Sequence, residues 1–296
     1  MNTQEISIPV PWGHISAKVY GDDCNSAVLC VHGIQDNCDT FSTLLPLLPK
    51  EYYYVCIDLP GHGHSSHFPQ FLPLELTHFL IAIKLVKDHF RWSQFVYIGH
   101  SLGGAVGTWF AALYPESIKC LIILDTMEPR AVERNNTVET VKSRIDDLHV
   151  LLRRQNGRDP PVYTYDQAVD KIKSTRPSKL TDESAHILAK RSLIRVDENR
   201  FKFAYDQRLK LPFHLVMTFD QHENIINRIS CPTIFVLADE SFGRYSTYLK
   251  NTYDLYSTRP NVTIRTVKGN HDVHLNHPER IADLINAFML SKKSKL

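Results

Sequence analysis

One serine lies in a spacing that could make it a nucleophile. Residues 99–103 have the sequence GHSLG, so Ser101 has a glycine two positions away on each side. A buried strand is predicted just before this run, at 95–98, and a helix of small residues just after it, at 104–113. Such glycines permit a sharp, strained turn that exposes the serine hydroxyl, and a helix N-terminus stabilises developing negative charge. The pattern predicts that Ser101 attacks an electrophilic carbon.

A serine hydroxyl is a poor nucleophile unless a base accepts its proton. Where a nucleophile lies on such a strand–turn–helix, the acid and then the histidine follow it along the chain. Beyond the last predicted strand, 262–267, the sequence contains His271, His274 and His277. His271 follows that strand most closely, in the run KGNH, and is the predicted base. The other two are predicted to lie on the polar face of the next loop and at a helix cap.

Two carboxylates are candidates for the acid that orients the base. Asp125 ends the predicted strand 118–124, and Asp239 follows the predicted strand 233–237. A carboxylate at either strand end could reach His271, although a polar residue at such a position often only caps the following turn. We favour Asp125 and keep Asp239 as the alternative.

The negative oxygen of a tetrahedral intermediate needs backbone donors. One donor is predicted to be the N–H of Leu102, directly after Ser101, and the second should come from the loop after the strand at 27–31. In that loop Ile34 follows His-Gly, and Gly33 permits a close backbone approach. Each such donor is worth about 3–4 kcal/mol of transition-state stabilisation.

A histidine-rich stretch raises the question of a metal. Residues 61–67 have the sequence GHGHSSH. The stretch lacks the aspartate and the later ligands that a hydrolase metal site would add. The sequence therefore predicts neither a metal nor a cofactor.

Short apolar runs alternate with helical patterns over the first 125 residues. An opening antiparallel pair is predicted at 6–10 and 14–20, and a helix at 74–90. The remaining predicted strands of this region are continuous apolar runs, at 27–31, 53–58, 95–98 and 118–124. The alternation predicts an α/β fold, with a mostly parallel central sheet and helices on both faces. Right-handed crossovers would bring the strand-end loops to one edge of that sheet.

The alternation of predicted strands and helices stops in the middle of the chain. Residues 127–227 contain charged helical stretches, such as 138–152 and 182–193, but no predicted buried strand. The strand pattern then resumes, so we predict a core formed by 1–126 and 228–296 with a helical lid inserted between them. Candidate pocket walls in this lid are Phe203, Tyr205, Phe213 and Met217.

Composition excludes several classes of partner. The 296 residues are 43% hydrophobic and 22% charged, with a formal net charge of +2. This near-neutral balance argues against nucleic acid or an anionic membrane as the main partner. No apolar run approaches the ~20 residues of a membrane span. The six cysteines form no CxxC pair, and Cys30, Cys56 and Cys120 lie in apolar runs, so reduced structural thiols are expected.

The two ends of the sequence carry different expectations. The N-terminal residues lack a basic region followed by an apolar stretch, so no signal peptide is predicted. The last three residues, Ser294, Lys295 and Leu296, have the sequence of the peroxisomal address. They predict binding to the peroxisomal import receptor and a peroxisomal location, or a cytoplasmic one if the tripeptide is not recognised.

Taken together, the motifs resemble those of the α/β-hydrolase superfamily. The motifs that carry this resemblance are HG at 32–33, DLPGHG at 58–63, GHSLGG at 99–104, LDT at 124–126 and GNH at 269–271. Within the superfamily, the run VPWGHI at 10–15, the tyrosine pair at 53–54 and the C-terminal SKL resemble the serine hydrolase-like family. The resemblance implies a lidded hydrolase in the peroxisome, related to epoxide hydrolases and haloalkane dehalogenases. Those enzymes use an aspartate where this chain has Ser101, so their chemistry is not implied.

The expected activity is hydrolysis of an ester or related acyl substrate through an acyl-enzyme on Ser101. A carbon–carbon bond hydrolase or a thioesterase could use the same three side chains. A hydrolase-fold protein that only binds a ligand is an alternative from a different class.

Overall fold

A computed structural model describes residues 3–69, 73–128, 137–155, 160–176, 178–211, 217–242 and 248–293. The proposed address at Ser294–Leu296 and the candidate wall Phe213 lie outside these residues.

The described chain contains ten strands and ten α-helices. The strands are β1 (Thr3–Val10), β2 (Gly13–Tyr20), β3 (Ser26–Val31), β4 (Tyr52–Ile57), β5 (Phe95–His100), β6 (Ile118–Leu124), β7 (Leu193–Arg195), β8 (Phe201–Phe203), β9 (Thr233–Ala238) and β10 (Val262–Val267). The helices are α1 (Leu76–His89), α2 (Leu102–Leu113), α3 (Thr137–Gln155), α4 (Tyr165–Ser174), α5 (Asp182–Ser192), α6 (Phe219–Asn227), α7 (Asp239–Phe242), α8 (Tyr248–Ser257), α9 (Val273–Asn276) and α10 (Glu279–Lys293).

Eight strands form one sheet in the order β1-β2-β4-β3-β5-β6-β9-β10. The pairs β1–β2 and β2–β4 are antiparallel. In the rest of this order, from β4 through β3, β5, β6 and β9 to β10, each neighbouring pair is parallel. The mostly parallel sheet and the opening antiparallel pair are as predicted. The carboxyl ends of β3, β5, β6 and β9 therefore meet at one edge.

The apolar runs are continuous because the central strands are buried on both faces. In β3, Leu29 and Val31 pack into a cluster with residues of α1 and α2. Val28 and Cys30, which alternate with them along the strand, pack into a second cluster with residues of α10. Helices thus cover both faces of the sheet, as predicted.

The cysteines agree with the expectation from composition. All six cysteines are free, and Cys30, Cys56 and Cys120 are buried within strands, as expected of small apolar side chains. In the described part of the chain, no helix is both long and apolar enough to cross a membrane.

Between β6 and β9 lies the inserted segment, residues 127–227. It contains α3 to α6, as its charged helical stretches predicted, and also a small antiparallel hairpin of β7 and β8. Neither of these strands is buried, and three-residue strands are too short for an alternating pattern to be detected in the sequence. On α6, Ile226 is fully buried in the cluster that α1 and α2 form with the sheet.

Buried polar contacts fix α5 to the carboxyl edge of the sheet. The Arg191 guanidinium donates from Nε to Asp58 Oδ2 over 2.6 Å and from Nη2 to Ser16 Oγ over 2.8 Å. Asn37 Nδ2 donates to the carbonyl of Leu188 at 3.0 Å. Because Arg191 and Asp58 are buried, the stability of this contact depends on both partners being present.

We therefore expect Arg191→Met to lower the free energy of unfolding by about 3–5 kcal/mol, because it leaves the Asp58 carboxylate buried without its cation. Denaturant titration measures the change. Lys250 forms an exposed ion pair with Asp254, so Lys250→Met is the matched control and should change the value by less than about 1 kcal/mol. Equal effects of the two substitutions would contradict this role of Arg191.

Candidate active site

Ser101 occupies a strained turn between β5 and α2. Its backbone has φ 49° and ψ −114°, and α2 begins at the next residue. A Cβ on Gly103 would lie 2.0 Å from the carbonyl oxygen of Val31, so only glycine allows the helix to approach β3 this closely. A Cβ on Gly33 would lie 3.2 Å from that of Ser101. The turn therefore brings Ser101 beside the loop that follows β3.

Asp125 contacts the predicted base. It follows β6 with φ 49°, and its side chain is almost fully buried. Asp125 Oδ2 lies 2.6 Å from His271 Nδ1, and Asp125 Oδ1 accepts the backbone N–H of Ala238 over 2.6 Å. The two oxygens therefore have separate partners. The amide of Ala238 holds Oδ1 and fixes the carboxylate, and the imidazole of His271 contacts Oδ2.

Asp239 has a different position. Its Oδ1 accepts the backbone N–H of Gly269 and that of Glu240, each over 2.9 Å. Gly269 lies two residues before His271. Asp239 therefore holds the turn that leads to the histidine, whereas Asp125 contacts the ring.

His271 and Ser101 face a common cavity of about 330 Å³. Because Nδ1 of His271 faces Asp125, Nε2 is the nitrogen left for the serine. In the described residues no hydrogen bond yet joins the two side chains. His100 Nε2–H donates to the carbonyl of His271 over 2.9 Å, which ties the turn at Ser101 to the histidine loop.

Two backbone amides beside Ser101 are available to an anion. Gly103 N donates to His32 O, and Gln35 N donates to His62 Nε2. Among the described hydrogen bonds, none uses the N–H of Ile34 or of Leu102, and both residues line the cavity. The amides of Ile34 and Leu102 are the predicted oxyanion donors. Each is followed by a residue, Gln35 or Gly103, whose own amide already donates a hydrogen bond.

Two buried histidines support the loop after β3. His32 donates from Nδ1 to Gly33 O and accepts from Leu59 N, which joins two of the sequence motifs. His62 accepts from Gln35 N and donates from Nδ1 to Pro60 O. Burial lowers the pKa of each imidazole to about 3, so both are neutral.

The other histidines of the stretch 61–67 have separate partners. His64 Nδ1 lies 3.0 Å from Glu5 Oε1, and His67 Nε2 donates to Ala204 O over 2.8 Å. The stretch therefore joins the β1 strand and the inserted segment to the core.

His274 does not lie on a polar face, so that prediction was wrong. It is fully buried, its ring centroid lies 3.9 Å from that of His100, and its Nε2 is 2.8 Å from Thr40 Oγ1. Two apolar neighbours, Val273 and Leu275, turn the short α9 into the core and carry His274 with them. His277 is partly exposed and caps the C-terminus of α9, as expected.

Asp36, His100 and His274 form the group that could hold a metal among the residues the structure describes. Their possible ligand atoms lie within 4.8 Å of one another, and all three are buried. Asp36 already forms an ion pair with Arg176 at 3.0 Å. A guanidinium beside the carboxylate disfavours a second cation there.

The walls of the cavity include residues that the sequence did not single out. Phe203 and Tyr205 line it, as predicted, whereas Met217 packs against the core cluster that contains α1 and α2. The unpredicted walls come from α4, α5 and the segment between them: Ile172, Thr175, Arg176, Leu188 and Ser192. These residues belong to no motif, so only their position in the fold identifies them.

Comparisons with known proteins agree with this architecture. The family model for the alpha/beta hydrolase fold matches residues 26–278. A serine hydrolase-like protein of Danio rerio is 34% identical over 288 residues, which are 96% of this chain and 88% of that one. Serine hydrolase-like protein 2 of Homo sapiens is 30% identical over 96% of this chain and 93% of its own length.

Two solved structures cover almost the whole chain. A hypothetical protein of Pseudomonas aeruginosa superposes with a TM-score of 0.86 at 26% identity, over 98% of this chain and 99% of that one. The thioesterase domain from the curacin biosynthetic pathway has a TM-score of 0.80 at 23% identity, over 97% and 100% of the two chains.

The neutral histidines beneath the site predict acid sensitivity. An imidazole whose folded pKa is about 3 stays neutral at pH 5, whereas in the unfolded chain it titrates near 6.5. The unfolded state therefore binds more protons between pH 6.5 and about 3, and stability falls as the pH falls through that window.

We expect His62→Gln to reduce the slope of unfolding free energy against pH near pH 5 by about 1.4 kcal/mol per pH unit. Denaturant titrations between pH 4 and 8 measure it. His89 is exposed, and His89→Gln should leave the slope as it is. An unchanged slope in His62→Gln would contradict the buried neutral assignment.

Proposed function

Because this chain belongs to the α/β-hydrolase family, among its serine hydrolase-like members, we propose that it hydrolyses an ester or related acyl substrate through Ser101, His271 and Asp125. The observation that carries the proposal is the 2.6 Å contact between Asp125 Oδ2 and His271 Nδ1 in the cavity that contains Ser101. This contact supports Asp125 as the acid, since the carboxylate of Asp239 is bonded to backbone amides.

In the proposed reaction, His271 Nε2 accepts the proton of Ser101 Oγ as this oxygen bonds to the acyl carbon. The carbonyl oxygen becomes negative and receives the N–H groups of Ile34 and Leu102. The bond to the leaving group then breaks, and the imidazolium returns its proton to the departing oxygen. Water repeats the attack on the acyl-enzyme, with His271 again as base and then acid, and releases the free acid and Ser101.

Asp125 acts through His271 and does not touch the substrate. A carboxylate facing Nδ1 fixes the ring with that nitrogen protonated and stabilises the imidazolium formed at each attack. The amide of Ala238 holds the carboxylate in place, so the ring orientation is set before the substrate binds.

The cavity favours a small substrate. Its volume of about 330 Å³ is near the lower end of the ~300–1,000 Å³ typical of small-molecule sites. A thioester would be cleaved by the same steps, because its carbonyl carbon is attacked in the same way. Paired oxygen and sulfur esters of one acyl chain distinguish an esterase from a thioesterase.

The nucleophile can be tested without knowledge of the substrate. A fluorophosphonate probe should label the wild-type protein, and Ser101→Ala should abolish the label, because the probe reacts with an activated serine. Ser192 also lines the cavity, but its hydroxyl accepts from Asn37 Nδ2, so Ser192→Ala should keep the label. A folded but unlabelled wild-type protein would contradict the enzyme and favour a binding function.

The acid can be tested with a chromogenic ester. Asp125→Asn should lower kcat by roughly 10³–10⁴-fold, because an amide no longer selects the protonated Nδ1. Asp239→Asn keeps an acceptor for the backbone amides and should cost far less, within about tenfold. The reverse order of the two effects would assign the acid to Asp239.

A further inference from the structure

The guanidinium of one arginine lines the cavity and is held by two carboxylates. Arg176, between α4 and α5, lines the cavity together with Ser101. Its Nη2 lies 3.0 Å from Asp36 Oδ2 and 3.5 Å from Asp272 Oδ1. Asp36 belongs to the loop after β3, two residues beyond Ile34, and Asp272 directly follows the proposed base. Nη2 of Arg176 thus joins the inserted segment to the loop after β3 and to the loop that contains His271.

Both carboxylates are themselves fixed. Asp36 Oδ1 accepts the backbone N–H of Asn37 over 3.0 Å. Asp272 Oδ2 accepts the hydroxyl of Ser178 over 2.5 Å. The two carboxylates are 2% and 1% exposed, so neither can rotate into solvent. A guanidinium held by two fixed partners has its plane set before a ligand arrives.

The other donors of this guanidinium remain available. In the described residues, Arg176 Nη1 and Nε have no hydrogen-bond partner, and 14% of the side chain is exposed. Arg176 is among the residues that line the cavity. A ligand in the cavity can therefore receive hydrogen bonds from Arg176 without displacing Asp36 or Asp272.

The surrounding charge selects the kind of acceptor. One guanidinium faces two carboxylates, so the group has no excess positive charge when both are ionised. Burial acts to raise the pKa of Asp272, but the charge of Arg176 helps to hold it below its usual range, whereas burial raises the pKa of Asp36 to about 6, so both carboxylates are ionised above that pH. A further carboxylate in the cavity would lie close to these negative groups, whereas an uncharged carbonyl oxygen would not be repelled.

We propose that Arg176 determines substrate specificity by donating to an uncharged carbonyl oxygen in the acyl chain, beyond the scissile carbonyl. The substrate class is then acyl esters or thioesters that carry an internal ketone or amide. This inference rests on the proposed function, because it places the acyl chain in the cavity beside Ser101.

Three p-nitrophenyl esters with matched chains test it. The hexanoyl ester is apolar, the 5-oxohexanoyl ester has an uncharged carbonyl at the fifth carbon, and the glutaryl half-ester has a carboxylate there. In the wild-type protein we expect kcat/KM for the 5-oxohexanoyl ester to exceed that for the hexanoyl ester by about tenfold or more, since the donor is charged. The glutaryl ester should gain no such advantage.

The ratio of kcat/KM for the first two esters is the measured quantity. In Arg176→Met this ratio should fall to about one, whatever happens to the two rates, because damage to the catalytic loops lowers both equally. Arg176→Lys keeps a cation between Asp36 and Asp272 and should retain part of the preference. Arg200 is exposed in the connection between β7 and β8, and Arg200→Met should leave the ratio unchanged.

Three results would overturn the inference: a wild-type ratio near one, a ratio that survives Arg176→Met, or a preference for the glutaryl ester. The first two would leave Arg176 a structural link between loops, and the third would make it an anion site. Fluorophosphonate labelling separates this failure from that of the proposed function. A labelled wild-type protein without the preference refutes only the specificity, whereas an unlabelled one refutes the hydrolase.

Discussion

The hydrogen-bond register of the parallel strands is the constraint on which the site depends. Val31 pairs with Gly99, His100 with Leu124, and Leu124 with Val236, so the four strands β3, β5, β6 and β9 end close to one level. The residues that follow these ends are therefore neighbours in space, although more than 200 positions separate the first from the last. A shift of one residue in any pair would turn its strand-end side chain to the opposite face.

The sequence predicted the parts of the site that follow from local rules. Ser101 was identifiable because the strained turn needs glycines at fixed offsets, and His271 because it follows the last strand. The sequence favoured Asp125 but left Asp239 as an alternative, since both follow a strand end. Their difference lies in the amides that surround each carboxylate, and those are set by the packing of the β9 and β10 ends.

Other features depend on long-range packing and left no pattern in the sequence. His274 is polar, but the apolar residues on either side of it carry it into the core. Arg176 lies in a charged stretch typical of a solvated helix, and only its two buried carboxylates distinguish it from the surface arginines. The hairpin of β7 and β8 is too short to produce a periodic signal.

The hydrogen bond from His100 to the carbonyl of His271 has a consequence for motion. It joins the residue before the proposed nucleophile to the backbone of the proposed base, so the two catalytic loops cannot fluctuate independently without breaking it. A displacement of either loop alone would strain this bond, which therefore limits changes in the separation of Ser101 and His271. The inserted segment is bound to the same edge of the sheet through Arg176 and Arg191, so it shares this constraint.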